Sequence, residues 1–388
     1  HTHSLWSDGD DYPEMIAAWY QDNGYHFLAL SDHNTLQEGD RWTHIATNKA
    51  GQKGFDAYLQ RFGPNWVEQR QEGTNAYARL KPLNEFRHLF EQPGRFMLLQ
   101  SEEITDKYLA IPVHMNAPNI RDFIKPAGGT SVVDVIQNNV NAVLEQRAKT
   151  GRPMMPHLNH PNWQWAITAE EIMQVKGEKF FELHNGHRGV KNYGDDVHAS
   201  TERVWDIVLT RRLTELGLEP LFGIATDDSH DYHELNKTSN PGRGWVVVRA
   251  SHLTPEKIVH AMEAGDFYAS TGVELVDVRR ESSGIFIKIK AEPGVTYTTQ
   301  FIGTRKGYDT TNHPVLNANG TPLRVTHRYS KDIGQVLAEV SGSEPSYKLA
   351  GDEIYVRAKI VSSKAKANPY EPNDTEVAWT QPLVTGVK

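Results

Sequence analysis

The chain has 388 residues and a formal net charge of -8, and 38% of its residues are hydrophobic, which is the composition of an ordinary globular protein. It contains no cysteine, so disulfides, thiolate zinc sites, iron–sulfur clusters and cysteine nucleophiles are excluded. Any metal ion must therefore be bound by histidine, aspartate and glutamate. The acidic balance argues against a nucleic-acid partner and favours a small anionic one. No apolar run reaches the roughly 18 residues that a membrane-spanning helix needs.

Short apolar runs alternate with helical patterns through the first two thirds of the chain. The expected strands are 27–30, 96–99, 153–156, 180–183 and 221–225. The expected helices are 13–23, 132–149 and a segment that begins after Thr254, the residue that caps it. This alternation is typical of βα units around a parallel sheet and predicts an α/β fold.

Two further segments differ from this pattern. Residues 36–95 are polar, aromatic and weakly periodic, which predicts an insertion that covers or lines a functional site. After Gly272 apolar and polar residues alternate with a period of two, which predicts strands. We therefore expect a catalytic domain over 1–273 and a sandwich-like, all-β domain over 274–388.

Side chains that can bind metal ions follow one expected strand after another. His1 and His3 lie on the same side of an extended segment, because side chains alternate along a strand, and Asp8 follows them. The later clusters, each at the C-terminal end of a strand, are Asp32-His33, Glu102-Glu103, His157 with His160, Glu182 with His184, and Asp227-Asp228 with His230. Loops at that end of parallel strands converge, and buried charges must be paired or metal-bound. The pattern predicts a metal centre.

The residue types indicate what the centre binds. Imidazole and carboxylate ligands suit zinc, manganese or iron, and this many ligands indicates two or three ions. Adjacent divalent ions can clamp a phosphoryl oxygen and activate water, so that no protein nucleophile is required. Hydrolysis of a phosphate ester is the reaction that we expect.

These motifs resemble those of the PHP family, the polymerase and histidinol phosphatase superfamily of metal-dependent phosphoesterases, over about residues 1–273. They are His1-Thr2-His3, Ser7-Asp8-Gly9, Ser31-Asp32-His33, Glu103-Ile104, His114, His160-Pro161 and Asp228-Ser229-His230. The resemblance implies a distorted seven-stranded β/α barrel, similar to a TIM barrel, that binds three metal ions. It also implies a small phosphorylated substrate, either a monoester or a diester.

The resemblance implies a ligand set for each ion as well. The first ion would be bound by His1, His3, Glu103 and Asp228. Glu103 would bridge to a second ion, bound by His114 and His160, and the third would be bound by Asp8, His33 and His230. Glu103, Asp228 and His230 are the candidate catalytic residues.

Three family positions have two candidates each in this sequence: Glu102 or Glu103, His157 or His160, and Asp227 or Asp228. Ser101 stands where the family usually has glycine, which leaves the choice between the two glutamates open. The His-Pro pair favours His160 and the Asp-x-His spacing favours Asp228.

Two residues outside the ligand set are candidates for substrate binding. His184 would contact the substrate or form a hydrogen bond at a strand end. Arg243 would form bidentate hydrogen bonds to phosphate oxygens or lie in an exposed turn.

Other functions remain open at this stage. The same centre could hydrolyse a non-phosphate ester, a lactone or a sugar-linked substrate, or the chain could be a non-catalytic metal- or carbohydrate-binding protein. The C-terminal β-domain, the lack of cysteine and the start at His1 resemble extracytoplasmic members of the PHP family, from which we expect a periplasmic or secreted protein, with the cytoplasm as the alternative.

Overall fold

A computed structural model describes residues 1–385, and in them it contains seven α-helices and 22 strands. The helices are α1 (Pro13–Asp22), α2 (Gly51–Phe62), α3 (Leu83–Phe86), α4 (Val132–Thr150), α5 (Ala169–Ile172), α6 (Thr201–Arg211) and α7 (Pro255–Glu263). The first strands are β1 (Phe27–Leu30), β2 (Arg41–His44), β3 (Gln69–Glu72), β4 (Asn75–Leu80), β5 (Met97–Gln100), β6 (Glu103–Tyr108), β7 (Ile111–Asn116), β8 (His157–Leu158), β9 (Phe180–Asn185), β10 (Phe222–Thr226), β11 (Trp245–Val248) and β12 (Phe267–Ser270). The later strands are β13 (Leu275–Glu281), β14 (Gly284–Ile289), β15 (Tyr297–Arg305), β16 (Asn312–His313), β17 (Arg328–Tyr329), β18 (Gln335–Ser341), β19 (Ser346–Lys348), β20 (Glu353–Ala365), β21 (Thr375–Thr380) and β22 (Leu383–Val384).

Local signals in the sequence explain where the longer helices begin and end. Helix α4 begins after Ser131, whose hydroxyl accepts a hydrogen bond from the Asp134 N–H, and it ends at Gly151 in the left-handed conformation. Helix α7 begins after Thr254, whose hydroxyl accepts from the Lys257 N–H, as the sequence predicted. Capping residues therefore set the limits of these helices.

Two sheets carry the strands that lead to the predicted centre. One has five strands in the order β10-β9-β8-β7-β6, and the other pairs β1 with β5 in parallel. Strands β8, β9 and β10 run parallel to one another, whereas β7 is antiparallel to both of its neighbours, β6 and β8. Apolar side chains of α4 and α6 pack against β7 and β9, so that the five-stranded sheet is covered by helices.

The predicted closed β/α barrel is wrong. The chain is mostly strands in several separate sheets, and the two sheets that were expected to close a barrel are linked within residues 1–385 by isolated bridges such as Thr2–Ser229 and His33–Glu103. The connection between β6 and β7 explains part of the difference. It contains only residues 109–110, whereas a parallel pair needs a crossover of about a dozen residues or more. The chain therefore forms a hairpin here, and β/α barrels consist of parallel strands.

The segment predicted as an insertion has its own small sheet. Strands β2, β4 and β3 form it in that order, and the apolar face of α2 packs beside it. Tyr58 of α2 and Trp66 both donate hydrogen bonds to the carboxylate of Glu14 in α1. These two aromatic side chains therefore join the insertion to the rest of the chain.

The C-terminal strands form a seven-stranded sheet in the order β11-β12-β21-β20-β15-β18, with β22 paired to β20. A three-stranded sheet, β13-β14-β19, packs against it through a shared apolar core. Strand β12 pairs with β21, so one sheet contains strands from both sides of residue 273. The division into domains at that position stays a prediction.

None of the helices in residues 1–385 combines the length and the apolar character that crossing a membrane would require.

Candidate metal centre

The structure brings together all nine residues that were predicted as metal ligands. They form four overlapping groups, in each of which the potential ligand atoms lie within 4.8 Å of one another. The groups are His3, Asp8, His33 and His230; His1, Glu103 and His160; His1, His3 and Asp228; and His33, Glu103 and His114. The chain is therefore a candidate metal-binding protein.

The N-terminal segment is held in place by hydrogen bonds to the loop after β10. The His3 N–H donates to the Ser229 carbonyl at 3.0 Å, and the Asp228 N–H donates to the His1 carbonyl at 3.1 Å. Gly9 packs so closely against the backbone of His3 that a side chain there would overlap it. The glycine after Asp8 therefore allows the chain to turn back toward the histidines.

Asp32, from the Ser-Asp-His motif, supports this loop. Its carboxylate accepts hydrogen bonds from the Ser4 N–H at 2.8 Å, the Ser7 hydroxyl at 2.6 Å and the Gln37 side-chain amide at 2.5 Å. Asp32 is fully buried and belongs to none of the four groups. It orients the loop that carries Asp8.

Glu103 lies at the middle of the centre and is fully buried. One carboxylate oxygen, Oε1, is 3.1 Å from His114 Nδ1 and 3.3 Å from His160 Nε2. The other, Oε2, is 2.8 Å from His33 Nδ1, 3.4 Å from His1 Nε2 and 3.3 Å from His3 Nε2. This one carboxylate therefore reaches five imidazoles and has the geometry of a bridging ligand.

The neighbouring Glu102 points away from the centre. Its Oε1 accepts a hydrogen bond from the Ile124 N–H at 2.7 Å, and burial raises the pKa of its carboxyl to about 8. Adjacent side chains of an extended segment face opposite sides. Between the two glutamates, the structure places Glu103 among the histidines.

Asp228 is the second carboxylate of the centre. Its Oδ1 lies 3.1 Å from His1 Nε2 and 3.2 Å from His3 Nε2. By contrast, the carboxylate of Asp227 accepts hydrogen bonds from the Tyr20 hydroxyl and from three successive backbone N–H groups, those of residues 242–244. Asp227 therefore holds a loop in place.

Two of the predicted ligands have left-handed backbone conformations that non-glycine residues rarely adopt. The φ angle is 22° at His160 and 49° at Asp228. Such conformations cost free energy and occur mainly where the surrounding structure enforces them, often at functional sites. The other candidate histidine, His157, lies in β8 and belongs to none of the four groups.

The donor atoms of the centre suit a cation. His1 Nε2 and His3 Nε2 are buried, and neither forms a hydrogen bond within residues 1–385. Both lie near Glu103 Oε2, at 3.4 and 3.3 Å. Buried polar atoms in folded proteins are almost always hydrogen-bonded. Imidazole nitrogens and carboxylate oxygens that converge without such partners are ligands for a divalent ion.

The charges in the centre set the protonation states of its members. Burial favours the neutral form of Glu103, but the nearby His33 and His1 outweigh burial and hold the pKa of this carboxyl well below its usual value. Burial lowers the pKa of His3 to about 3, and His230 acts in the same direction. Glu103 is therefore an anion and His3 is neutral at neutral pH, which are the forms that bind a metal ion.

Glu182 of β9 is a functional residue that the sequence analysis did not assign to the centre. Its Oε1 accepts hydrogen bonds from His1 Nδ1 at 2.6 Å and from the Thr226 hydroxyl at 2.8 Å. Its Oε2 accepts from the His160 N–H at 2.8 Å and from the Asn185 side-chain amide at 2.7 Å. Because the carboxylate engages Nδ1 of His1, it leaves Nε2 facing Glu103. Its position at the end of an expected strand was the only signal in the sequence.

We expect Glu182→Gln to lower the affinity for divalent metal about 10- to 100-fold, because a carboxylate behind a ligating histidine orients the ring and raises its basicity. Metal titration of chelator-stripped protein measures this change. Glu178→Gln is the matched control, because Glu178 is also buried but lies outside the four groups. Equal affinities in both variants and the wild type would contradict the assigned role.

The two predicted substrate-binding residues lie outside the four groups. The side chain of Arg243 is fully buried, and its five N–H groups donate to the carbonyls of residues 186, 237 and 238 and to the side-chain oxygens of Asn240 and Asn368. No donor of Arg243 remains for a phosphate, and the residue is not in an exposed turn. His184 is buried beside Tyr370 and Trp379, at ring-centroid distances of 5.6 and 5.8 Å.

The insertion reaches the mouth of the centre through Lys49. Its ammonium group donates a hydrogen bond to the Asp8 carbonyl and lies 3.9 Å from Asp8 Oδ2. The side chains of Lys49 and Asp8 are 57% and 43% exposed, so this edge of the centre is open to solvent.

Comparisons with known proteins give one limited result. No family model matches the chain, and no curated protein matches it. Among solved structures, it matches a protein from Bifidobacterium adolescentis that is described as a proposed metal-dependent phosphoesterase, with 13% sequence identity and a TM-score of 0.30. The match covers 62% of this chain and 91% of that chain. A TM-score this low does not indicate a shared function. The function is therefore inferred from the residues of the centre.

Proposed function

We propose that this chain is a metal-dependent phosphoesterase that hydrolyses a small phosphate monoester or diester. The observation that carries the proposal is the overlap of the four groups. His1, His3, His33 and Glu103 each belong to two of them. Of these four residues only Glu103 can bridge two ions, because a carboxylate has two oxygens, and ions bound in the overlapping groups would lie close together. Pairs of ions about 3.5–4 Å apart are typical of enzymes that act on phosphate esters.

The donor set supports two or three divalent ions of zinc, manganese or iron. His1, His3, Glu103 and Asp228 would hold the innermost ion, and His114 and His160 a second ion across Glu103. Asp8, His33 and His230 would hold the outermost. When bound, such ions polarise phosphoryl oxygens and lower the pKa of water. The resemblance of the motifs to the PHP family is consistent with this proposal.

The protein residues would bind, orient and move protons. Glu103 holds five imidazoles around one carboxylate, and Glu182 orients His1 from behind. His230 Nε2 lies 3.3 Å from Asp8 Oδ1 at the solvent-exposed edge of the centre. When only two ions are bound and the outermost position is free, that location suits His230 to transfer a proton to or from a group that enters from solvent.

The test is elemental analysis of the purified protein together with phosphate release from a panel of monoesters and diesters. We expect two or three divalent ions per chain. Removal of the metal with a chelator should abolish turnover, and adding zinc, manganese or iron back should restore it.

Each outcome has a distinct meaning. Metal-dependent phosphate release would support the proposal. Full metal occupancy without phosphate release would overturn the phosphoesterase assignment and favour hydrolysis of a non-phosphate ester, a lactone or a sugar-linked substrate. Absence of bound metal even after metal is added would overturn the centre itself.

A periplasmic or secreted location also stays a proposal, which fractionation of the native host would test.

A further inference from the structure

Trp163 lies beside the predicted metal ligands without being one of them. Its ring centroid is 5.2 Å from that of His114 and 5.4 Å from that of His160. The side chain is half-buried, so part of the indole remains accessible next to the centre. The sequence analysis did not single out this residue, because a tryptophan in a loop carries no motif.

The backbone around Trp163 is fixed on both sides. The Trp163 N–H donates to the His160 carbonyl at 2.9 Å, and Trp163 forms an antiparallel bridge with Val190. The buried side-chain amide of Asn162 donates to the carbonyls of Lys191 and Ala199, both at 2.9 Å. The backbone that carries the indole is therefore held by the loop after β9.

His187 closes one side of the same space. The position that a Cβ atom would take at Gly189 lies 2.7 Å from His187 Cε1 and 3.8 Å from Trp163 Nε1, so both side chains approach Gly189. The His187 ring also lies 5.9 Å from that of His230, nearly perpendicular to it. Trp163 and His187 therefore form a corner between the His114–His160 side and the His230 side of the centre.

The next tryptophan in the loop faces elsewhere. Gln164 and Trp165 both have positive φ angles, 53° and 54°, which turn the chain sharply after Trp163. The Trp165 ring stacks on His198 at 3.9 Å, with only 5° between the ring planes. Only Trp163 of this pair contacts the predicted ligands, and Trp165 offers a natural control.

We propose that the corner formed by Trp163 and His187 binds the leaving group of the substrate, and that this leaving group carries a ring that packs on the indole. The proposal rests on the proposed function, because it takes the phosphoryl group to lie over the metal centre. An indole face attracts flat rings, both aromatic bases and the apolar faces of sugars, whereas a short acyclic chain gains little from it. The ring could thus belong to a nucleoside or to a sugar.

The experiment compares three monoesters of primary alcohols, whose alkoxide leaving groups are similar: adenosine 5′-monophosphate, glucose 6-phosphate and glycerol 1-phosphate. We expect Trp163→Leu to lower kcat/KM about tenfold for one or both ring-bearing substrates and to change it less than twofold for glycerol 1-phosphate. Trp165→Leu should leave all three values unchanged. Loss for the adenosine ester alone would identify a nucleoside, and loss for the glucose ester alone would identify a sugar.

Calorimetric binding of the same three compounds to metal-loaded protein separates this inference from the proposed function. Ring-selective binding that Trp163→Leu weakens would support the corner as a ring-binding site even if no compound were hydrolysed. An equal loss for all three compounds in Trp163→Leu, or no loss for any, would overturn it. Circular dichroism of each variant checks that the fold is intact.

Discussion

Glu103→Gln should remove at least one metal ion per chain and lower kcat/KM by about a thousandfold, equivalent to about 4 kcal/mol of transition-state stabilisation. The carboxylate lies within 3.4 Å of five imidazole nitrogens. One of the four groups contains His160 and another contains His114, and Glu103 is the carboxylate that the two groups have in common. Glutamine has the same shape but no charge, so it cannot bridge two cations as a carboxylate does. Elemental analysis and phosphate release measure the two effects.

Glu102→Gln is the matched control for this experiment. The same chemical change is made one residue away, on a side chain that bonds to the Ile124 N–H and lies outside the four groups. Burial raises the pKa of Glu102 to about 8, so its carboxyl is already largely uncharged at neutral pH and glutamine should replace it with little effect. Wild-type metal content in Glu103→Gln, or equal losses in both variants, would refute the bridging role.

The largest effect on stability should come from Asp206, in a buried ion pair that joins α6 to β20. Arg357 Nε and Nη2 donate to the two oxygens of Asp206 at 2.8 and 2.7 Å, and the Tyr355 hydroxyl donates to Oδ1 at 2.8 Å. Arg357 is 1% exposed and Asp206 is 4% exposed. We expect Asp206→Asn to lower the free energy of unfolding by about 3–5 kcal/mol, because it removes both close ionic contacts of the buried guanidinium and leaves it only Glu202, at 3.7 Å. Denaturant-induced unfolding measures the loss.

Two controls separate charge burial from a general effect of the substitution. Asp22→Asn removes an exposed ion pair with Arg61, 2.8 Å long, and should cost less than about 1 kcal/mol. Adding Arg357→Met to Asp206→Asn should recover much of the lost stability, since the unpaired charge is gone. A loss in Asp206→Asn no larger than that in Asp22→Asn would contradict the prediction.

The sequence predicted the members of the centre better than it predicted the fold that holds them. The strand-end positions of several histidines and carboxylates predicted a metal centre, whereas the particular ligand set was implied by the resemblance to the PHP family. The barrel was wrong because the sequence analysis expected no strands between residues 103 and 116, where an antiparallel hairpin forms. Strands β6 and β7 pair as a hairpin whose connection is residues 109–110.

Choices between neighbours and between partners needed the tertiary structure. Glu102 and Glu103 are the same type of residue, so the sequence cannot show which of them faces the histidines. The choice depends on which side of this extended segment packs against the centre. Glu182 and Arg243 show the same limit, because the partners of a buried charge come from distant parts of the chain. Sequence by itself determined which chemical groups this protein could bring to a metal ion, since ligand type and strand-end position are local properties. Only the tertiary structure decided which of them converge, because convergence depends on strand direction and packing that no single segment specifies.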